Sequence, residues 1–545
     1  MQAVPPLVTD QIDRTGRDHP TAPGARPTGL ARAGGPRAVD LSMQLPRIAG
    51  LTADSREVRP GWLFAALPGA ARDGRTYIGE AVGRGASVIL TAAEEDRALC
   101  GERAQVIVAQ DPRRALALIA AGFFGLQPRG TALVTGTSGK TSTVDFSRQI
   151  WTALGRPAAS VGTLGVIGHD FFRPGGLTTP DPVTLYRVLA QLAAVGIERV
   201  AVEASSHGLE QCRLDGVRSD TAGFTSFGRD HLDYHGTLEA YLAAKLRLFS
   251  HVVGAGGTAV INADDHHAAR VMAVASQRRL GIIEVGRGGC DIAITDVTAE
   301  PRRADATPGP GGTGSVGGAG SMGGTGGEAR ILDLSVFGRR QRVRFAMSAP
   351  FQATNALVAV GMAIAQGADP ADAIAALESV HPVAGRMEHV AATVTGAPVY
   401  VDYSHKPDAL ANALQALRPQ TPGRLVVVFG CGGDRDRGKR PEMGRIALAL
   451  ADRVYVTDDN PRSEDPARIR REILASCPGA IEVGDRREAI AAAIGELRRG
   501  DALLIAGKGH EETQIIGTQV LPFSDAAEAR AAAARATAKP GEGRP

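Results

Sequence analysis

The twelve residues TALVTGTSGKTS, Thr131–Ser142, decide how this 545-residue chain folds. An apolar strand, Ala132–Thr135, runs straight into a loop of small residues and then into a helix. That helix carries Val144, Ile150, Trp151 and Leu154 at near-helical spacing. Small residues at Gly136, Thr137, Ser138 and Gly139 let backbone N–H groups approach a phosphate closely. The helix N-terminus adds positive potential, and Lys140 supplies a point charge. Thr141 or Ser142 could reach a metal. The full phosphate-loop pattern G-x-x-x-x-G-K-[ST] would place glycine at position 134, where this chain has Val134, so the loop is a variant.

The same strand–loop–helix unit recurs along the chain. RVAVE precedes ASSHGLE, PVYVDY precedes SHKPDALANALQAL, and RLVVVFG precedes CGGDRDRGKRP. RVYVT likewise runs into DDNPR, and ALLIAG into KGHEE. Short apolar strands alternating with helices predict βαβ units and mostly parallel sheets, an α/β fold. In such sheets ligands bind beyond the carboxyl ends of the strands, and the polar, charged loops here all follow strands. Gly430-Cys431-Gly432-Gly433 is not a dinucleotide fingerprint, because the third glycine of that motif would fall at Arg435. A dehydrogenase is excluded on that ground.

The bulk properties set wide limits. A hydrophobic share of 43%, a charged share of 22% and a net charge of +3 describe an ordinary globular protein. No strong field for nucleic acid or membrane follows, so neither is expected as a partner. Five scattered cysteines without a C-x-x-C pair fit a reducing compartment. No basic segment leads into an apolar core at the N-terminus, and the apolar stretch Ala115–Leu126 is too short to span a bilayer. A cytoplasmic location is expected. Residues 1–44 are rich in Pro, Gly, Arg and Asp without periodicity, and Pro308–Gly327 is more than half glycine. The first is expected to be disordered, as is the tail 538–545, and the second to be a flexible surface insertion inside a domain.

Three further groups carry chemistry. Glu203 ends one strand and His207 follows it, while FTSFGRDHLDYHG sets Asp230, His231, Asp233 and His235 after another strand, Gly223–Phe227. Oxygen ligands with a histidine near a triphosphate loop suit Mg²⁺; capping of loops is the plainer role for any one of them. Lys245 falls on the apolar stripe Leu238, Tyr241, Leu242, Phe249 of its helix. Its stem either snorkels past the core or the buried amine is chemically modified, and the pattern alone leaves both open. In VTDDNPR, Val456–Arg462, the Asp-Asn-Pro run is turn chemistry, yet Arg462 offers a planar fork that suits a carboxylate.

Taken in order, these motifs resemble the Mur ligases, ATP-dependent amide-forming enzymes of bacterial cell-wall precursor synthesis. The resemblance runs from about Ile48 to Ser524. It rests on ADSREVRPGWLFAALPGAARDGRTYI, GTSGKTS, LTTPDP, EASSHGLEQCRLDG, DHLDYHGTLEAYLAAK, GRMEHV, VDYSHKPDAL, GCGGDRDRGKRPEM, DDNPR and AGKGHEE. Within the family the chain is most similar to the branch that adds meso-diaminopimelate to UDP-N-acetylmuramoyl-L-alanyl-D-glutamate. A lysine-adding branch, a folate-modifying relative and a phosphate-loop ATPase without ligase activity are the alternatives.

The resemblance implies a three-domain α/β architecture behind the extension 1–44. A UDP-substrate domain would span 45–109. A central P-loop-type parallel-sheet ATP-binding domain would span 110–382, with a glycine-rich insertion at 303–328. A Rossmann-like amino-acid domain would span 383–545. Carried over by motif, Gly136–Ser142 would hold ATP phosphates with Lys140, and Asn355, Arg386 and Asp402 would complete the nucleotide site. Thr141, Glu203, His231 and Lys245, the last as a carbamate, would hold Mg²⁺. Ser55, Thr178, Thr179, Ser205, Gln211 and Arg213 would bind the UDP-muramoyl dipeptide. Arg435, Asp459, Asn460, Pro461, Arg462, Gly507 and Glu511 would frame meso-diaminopimelate. The resemblance implies a monomer that works through an acyl phosphate. Two departures stand out: Phe351-Gln352 where many members read F-N, and Leu177 where some members carry asparagine.

Overall fold

The computed structural model describes residues 47–69, 73–299, 330–347 and 349–537. The expectations for 1–44, 303–328 and 538–545 therefore lie outside the described residues. Three large sheets follow one another along the described residues, with a two-stranded ribbon, Thr513–Ile516 and Gln519–Pro522, after the last. The first has four parallel strands in sequence order, from Gly50–Thr52 to Gln105–Val108. One face packs on its own short helices through Phe64, Ile89 and Val106. The other, through Leu63, Val88 and Leu90, shares a core with helices Pro112–Phe124 and Pro182–Ala194.

The second sheet has 11 strands. At its centre, Gly130–Thr135 lies between Arg199–Glu203 and Thr221–Phe224, all parallel. The chain passes from Gly130–Thr135 to Ala158–Gly162, returns to Arg199–Glu203 between them, and then crosses to Thr221–Phe224 on the opposite side. The phosphate loop thus stands where the strand order reverses, the position at which doubly wound sheets bind ligands. Both faces of this strand are covered. Leu133 points into one core, and Ala132 and Val134 into the other. A continuous apolar run is what a sheet buried on both faces requires.

The second sheet departs from the parallel expectation at its edges. Ile292–Ala299, Arg330–Val336 and Arg339–Phe345 pair antiparallel at one side, and Gly165–Ile167 and Phe172–Arg173 at the other. Ala299 pairs with Arg330, so the glycine-rich insertion joins two neighbouring strands at one end of a hairpin. These strands alternate buried and half-exposed residues, which half-buried antiparallel edges allow.

The third sheet runs Glu388–Ala392, Pro398–Asp402, Ala502–Ala506, Leu425–Phe429, Arg453–Val456, Ile481–Glu482 in spatial order. Only its first strand is antiparallel. Every residue of LVVVF, Leu425–Phe429, is buried; Leu425, Val427 and Phe429 face one core, and Val426 and Val428 the other. Among the described residues no helix is long and apolar enough to cross a membrane.

Candidate active site

Gly136 and Gly139 shape the phosphate loop for distinct reasons. A Cβ on Gly136 would lie 2.0 Å from Thr225 Oγ1. Gly139 sits at φ +89°, and its Cβ would meet Asn355 Oδ1 at 2.4 Å. The strand expected over Gly223–Phe227 ends at Phe224, because the residues after it turn to support this loop. Ser226 accepts from Thr137 N at 2.6 Å and its hydroxyl accepts from Ser138 N at 3.1 Å. Helix Lys140–Ala153 starts directly behind the loop. Around it opens a cavity of about 690 Å³ lined by all of Thr137–Ser142, with Glu203, His231, Lys245, Asn355, Arg386 and Asp402.

Three lysines converge there. Lys140 Nζ donates to the carbonyls of Gly136 (2.9 Å) and Thr137 (3.2 Å). Lys245 Nζ donates to the same Gly136 carbonyl at 2.7 Å. Lys406 reaches across from the third sheet to Thr137 O at 3.3 Å and to Asp230 Oδ2 at 2.5 Å. Burial and the neighbouring Lys406 bring Lys140 down to about 8. Burial, with Lys140 and Lys406 adding to it, holds Lys245 well below the ordinary lysine value. Of the stripe that predicted this, Tyr241, Leu242, Lys245 and Phe249 are buried, but Leu238 is 46% exposed. The helix begins at Leu238, and its first turn projects beyond the core. Lys245 is 2% exposed, so its amine does not snorkel to water.

Glu203 is buried, and its carboxylate accepts from the N–H (2.8 Å) and hydroxyl (3.2 Å) of Thr163. His231 sits at φ +51° with Nε2 2.9 Å from Asp230 Oδ2, which leaves Nδ1 for another partner. The Thr141 hydroxyl accepts from Arg386 Nη2 at 3.0 Å and keeps a second lone pair. Among the described residues, no three His, Cys, Asp or Glu side chains form a ready-made metal cage. The expected set counts only two such residues, with a lysine and a threonine.

Asn355 and Gln352 are both buried, and Asn355 Nδ2 donates to Gln352 Oε1 at 3.0 Å. Gln352 Nε2 in turn donates to Arg386 O at 3.3 Å. Arg386 stacks over Tyr403 at 4.4 Å, and its Nε is buried without a partner among the described residues. Asp402 accepts from Met387 N at 2.7 Å, and burial raises its carboxyl above the usual range.

The residues expected to hold the muramoyl dipeptide divide. Thr178 bonds to Thr163 at 3.0 Å, and Thr179 donates to Glu203 O at 2.7 Å and to Ser205 at 3.0 Å. Arg213 donates to Thr179 O at 2.6 Å and to Gln211 Oε1 at 2.8 Å. This cluster abuts the phosphate-loop cavity, which Thr178 and Ser205 line. Ser55 is elsewhere. It donates to Glu80 at 2.9 Å in the first sheet and lines neither described cavity.

A second cavity of about 410 Å³ gathers the loops after four strands of the third sheet. Arg435, Asp459, Asn460, Arg462, Gly507 and Glu511 line it, together with Lys406 and Lys439. Arg462 sits at φ +52°, and its Nη1 donates to Gly433 O at 2.8 Å. Asn460 bonds to Glu511 (2.9 Å) and accepts from the buried Lys508 (3.1 Å) and from Ile515 N (3.0 Å). Beneath them, the buried Arg486–Asp525 pair, 2.7 Å apart, donates onward to Ala506 O at 3.0 Å. Sequence reading missed Lys406, Thr163 and Arg486. Lys406 had a signal, since it stands in a loop behind a strand like every other candidate; the other two had none.

Comparison with known proteins gives a consistent picture. Residues 47–124 match the Mur ligase family catalytic domain, 134–363 the Mur ligase middle domain, and 385–509 the Mur ligase glutamate ligase domain. The UDP-N-acetylmuramoyl-L-alanyl-D-glutamate–2,6-diaminopimelate ligase of Mesorhizobium japonicum is 49% identical over 485 residues, covering 89% of this chain and 94% of that protein. The ligase of the same name from Brucella melitensis is 48% identical, with 89% and 94% covered. A solved structure bearing that name superposes with a TM-score of 0.61 at 31% identity, covering 90% of this chain and 95% of its own. The MurF ligase from Thermotoga maritima in complex with ADP shares the fold at TM-score 0.57 and 20% identity, with 84% and 94% covered.

Proposed function

The chain belongs to the Mur ligase family, and on that premise we propose that it is the ATP-dependent, ADP-forming ligase that adds meso-diaminopimelate to UDP-N-acetylmuramoyl-L-alanyl-D-glutamate. The amide forms at the D-glutamate γ-carboxylate, in peptidoglycan precursor synthesis. The observation that carries this reading is the junction of the two cavities. His231, Tyr403, His405 and Lys406 line both the phosphate-loop side and the arginine-bearing side. A phosphorylated intermediate made in one cavity can meet an amine bound in the other without crossing open solvent.

In this reading the Gly136–Ser142 loop, Lys140, Asn355, Arg386 and Asp402 bind ATP, and the unpartnered Arg386 Nε is a donor held ready for it. Thr178, Thr179, Ser205, Gln211 and Arg213 present the muramoyl dipeptide beside Glu203, with Ser55 at the uridine end. Lys140 offsets charge on the phosphoryl group as the carboxylate attacks. Arg462 and Arg435 take one carboxylate of meso-diaminopimelate; Asp459 and Glu511 take its ammonium. The three sheets correspond to domains for UDP-substrate, ATP and amino acid, and the enzyme works as a cytoplasmic monomer.

A magnesium ion suits the donors Glu203, His231, Thr141 and a carbamate on Lys245, and bound there it would supply charge compensation for the ATP phosphates. Carbamate formation needs a neutral amine, which burial beside two cations provides at Lys245. Once formed, the anion would face Lys140 and Lys406.

The test is ADP release with each substrate omitted in turn, run in parallel with meso-diaminopimelate and L-lysine. ADP formation should require the dipeptide and the amino acid together. Steady ATP turnover without either would sink the ligase reading, and efficient L-lysine incorporation would reassign the amino acid.

A further inference from the structure

We propose that Lys406 is a catalytic cation lent to the phosphate loop by the third sheet, contacting the phosphoryl group as it is transferred. The inference rests on the ligase reading above. Lys406 follows strand Pro398–Asp402 and immediately precedes helix Pro407–Leu417, whose first residue is a proline. Its extended backbone, φ −132° and ψ 152°, and the fixed φ of Pro407 set the point from which its side chain leaves. The side chain is 12% exposed and crosses to the second sheet, where Nζ meets Thr137 O and Asp230 Oδ2.

Two features separate Lys406 from an ordinary ion pair between domains. First, it shares the Thr137 carbonyl with Lys140, so two ammonium groups from different sheets bracket one peptide of the phosphate loop. Holding the ammonium groups of Lys140 and Lys406 against one peptide is costly unless an anion joins them. Asp230 is the carboxylate in contact with Lys406, 2.5 Å from its Nζ. Second, Lys406 lines both cavities, whereas Lys140 and Lys245 line only the first. An ammonium at that seam can touch the same phosphoryl group in both chemical steps.

In the first step a γ-carboxylate oxygen of the D-glutamate bonds to the γ-phosphorus of ATP. The bond from that phosphorus to the β–γ bridging oxygen breaks, and ADP leaves with the electron pair. In the second step the amine nitrogen bonds to the acyl carbon, the bond from carbon to the phosphate oxygen breaks, and phosphate departs with that pair. The amine proton passes to water. Lys406 keeps its own proton throughout and acts by charge. Because it comes from the third sheet, the phosphoryl group gains this cation only when the second and third sheets are together, which couples closure to chemistry.

The test uses the full-length protein with Lys406→Met and Lys406→Arg. Lys406→Met should lower kcat by about 100-fold or more, with KM for ATP and for the amino acid within about threefold of the starting protein. Lys406→Arg should recover about tenfold of that loss, since it keeps the charge but not the shape. Positional isotope exchange of the β–γ bridging oxygen, with ATP and dipeptide but no amino acid, should fall in parallel. If the methionine variant fails to fold, Lys406→Gln carries the same expectation. The assignment is overturned if kcat stays within about fivefold, if the loss appears as weaker ATP binding, or if isotope exchange is unchanged. A starting protein that makes no product would remove the ligase reading and this assignment together. An active starting protein with a near-normal methionine variant would remove the assignment alone.

Discussion

The two cavities that meet at Lys406 are built on different principles. Around the phosphate loop the working surface is backbone held by backbone and hydroxyls. Thr137, Ser138, Thr225 and Ser226 bond to one another, and Gly139 is packed beneath Asn355. Around Arg462 it is side chains on four separate strand loops, held by carboxylates, an amide and a buried ion pair. A surface of peptide groups recognises phosphate, which every ATP presents alike. A surface of placed charges can discriminate one amino acid from another, because each charge is a separate choice. Substitutions on the first side should therefore reduce turnover for any acceptor, and substitutions on the second should act on one substrate.

Lys245→Ala should show the largest loss, about 1,000-fold in kcat, because it removes the buried amine that the proposed carbamate would be built on. Acetate or another short carboxylic acid should restore part of that activity by filling the vacated space with an anion. A fully active alanine variant would make Lys245 a packing residue and would blur the contrast between the cavities. Arg462→Ala comes next. A charge-assisted pair with a carboxylate is worth about 1.5–3 kcal/mol, so KM for meso-diaminopimelate should rise about 10- to 100-fold. KM for ATP should hardly move. Equal loss for both substrates would show that the loop serves the nucleotide as well.

The pH dependence separates the sides again. Lys140 is held down to about 8, so its ammonium is intact below that pH and is lost as pH rises through it. ATP affinity of the free enzyme should therefore be flat near neutrality and weaken above pH 8, by up to about tenfold per pH unit as binding takes up a proton. Titration with a fluorescent ATP analogue from pH 6.5 to 9.5 would read this directly. Affinity for the amino acid over the first part of that range should depend far less on pH, because arginine keeps its charge.

Much of this was legible in the chain, for a definite reason. Strands buried on both faces, such as Leu425–Phe429, read as continuous apolar runs, and the residues that follow them must sit at the rim where ligands bind. That logic finds the phosphate loop, DDNPR and KGHEE. It fails for the antiparallel edge of the second sheet, where Arg339–Phe345 sets exposed arginines around the buried Val343 and Phe345 and so carries no continuous apolar run. It also fails for Thr163 and Arg486, whose importance comes only from what the fold brings against them: the Glu203 carboxylate in one case, Asp525 and the Ala506 carbonyl in the other. Leu238 misled because helical periodicity does not say where along a helix the core stops.

The smallest expected effect concerns Gln352, one of the two departures from the family pattern. Its amide is placed between two neighbours: Oε1 accepts from Asn355, and Nε2 donates to the carbonyl of Arg386. Asparagine at 352, one methylene shorter, would not span both contacts from the same backbone. The longer side chain thus ties Asn355, which packs against Gly139 of the phosphate loop, to the segment that sends Arg386 back to Thr141. Gln352→Leu keeps the volume and removes both bonds, leaving the Asn355 amide unpaired in a buried site. That costs about 1–3 kcal/mol of local order, spread between stability and nucleotide binding. KM for ATP should rise about three- to fivefold, while KM for meso-diaminopimelate stays constant. If the effect fell on the amino acid instead, the two cavities would be coupled through Arg386 rather than through Lys406, and the seam between them would have to be redrawn there.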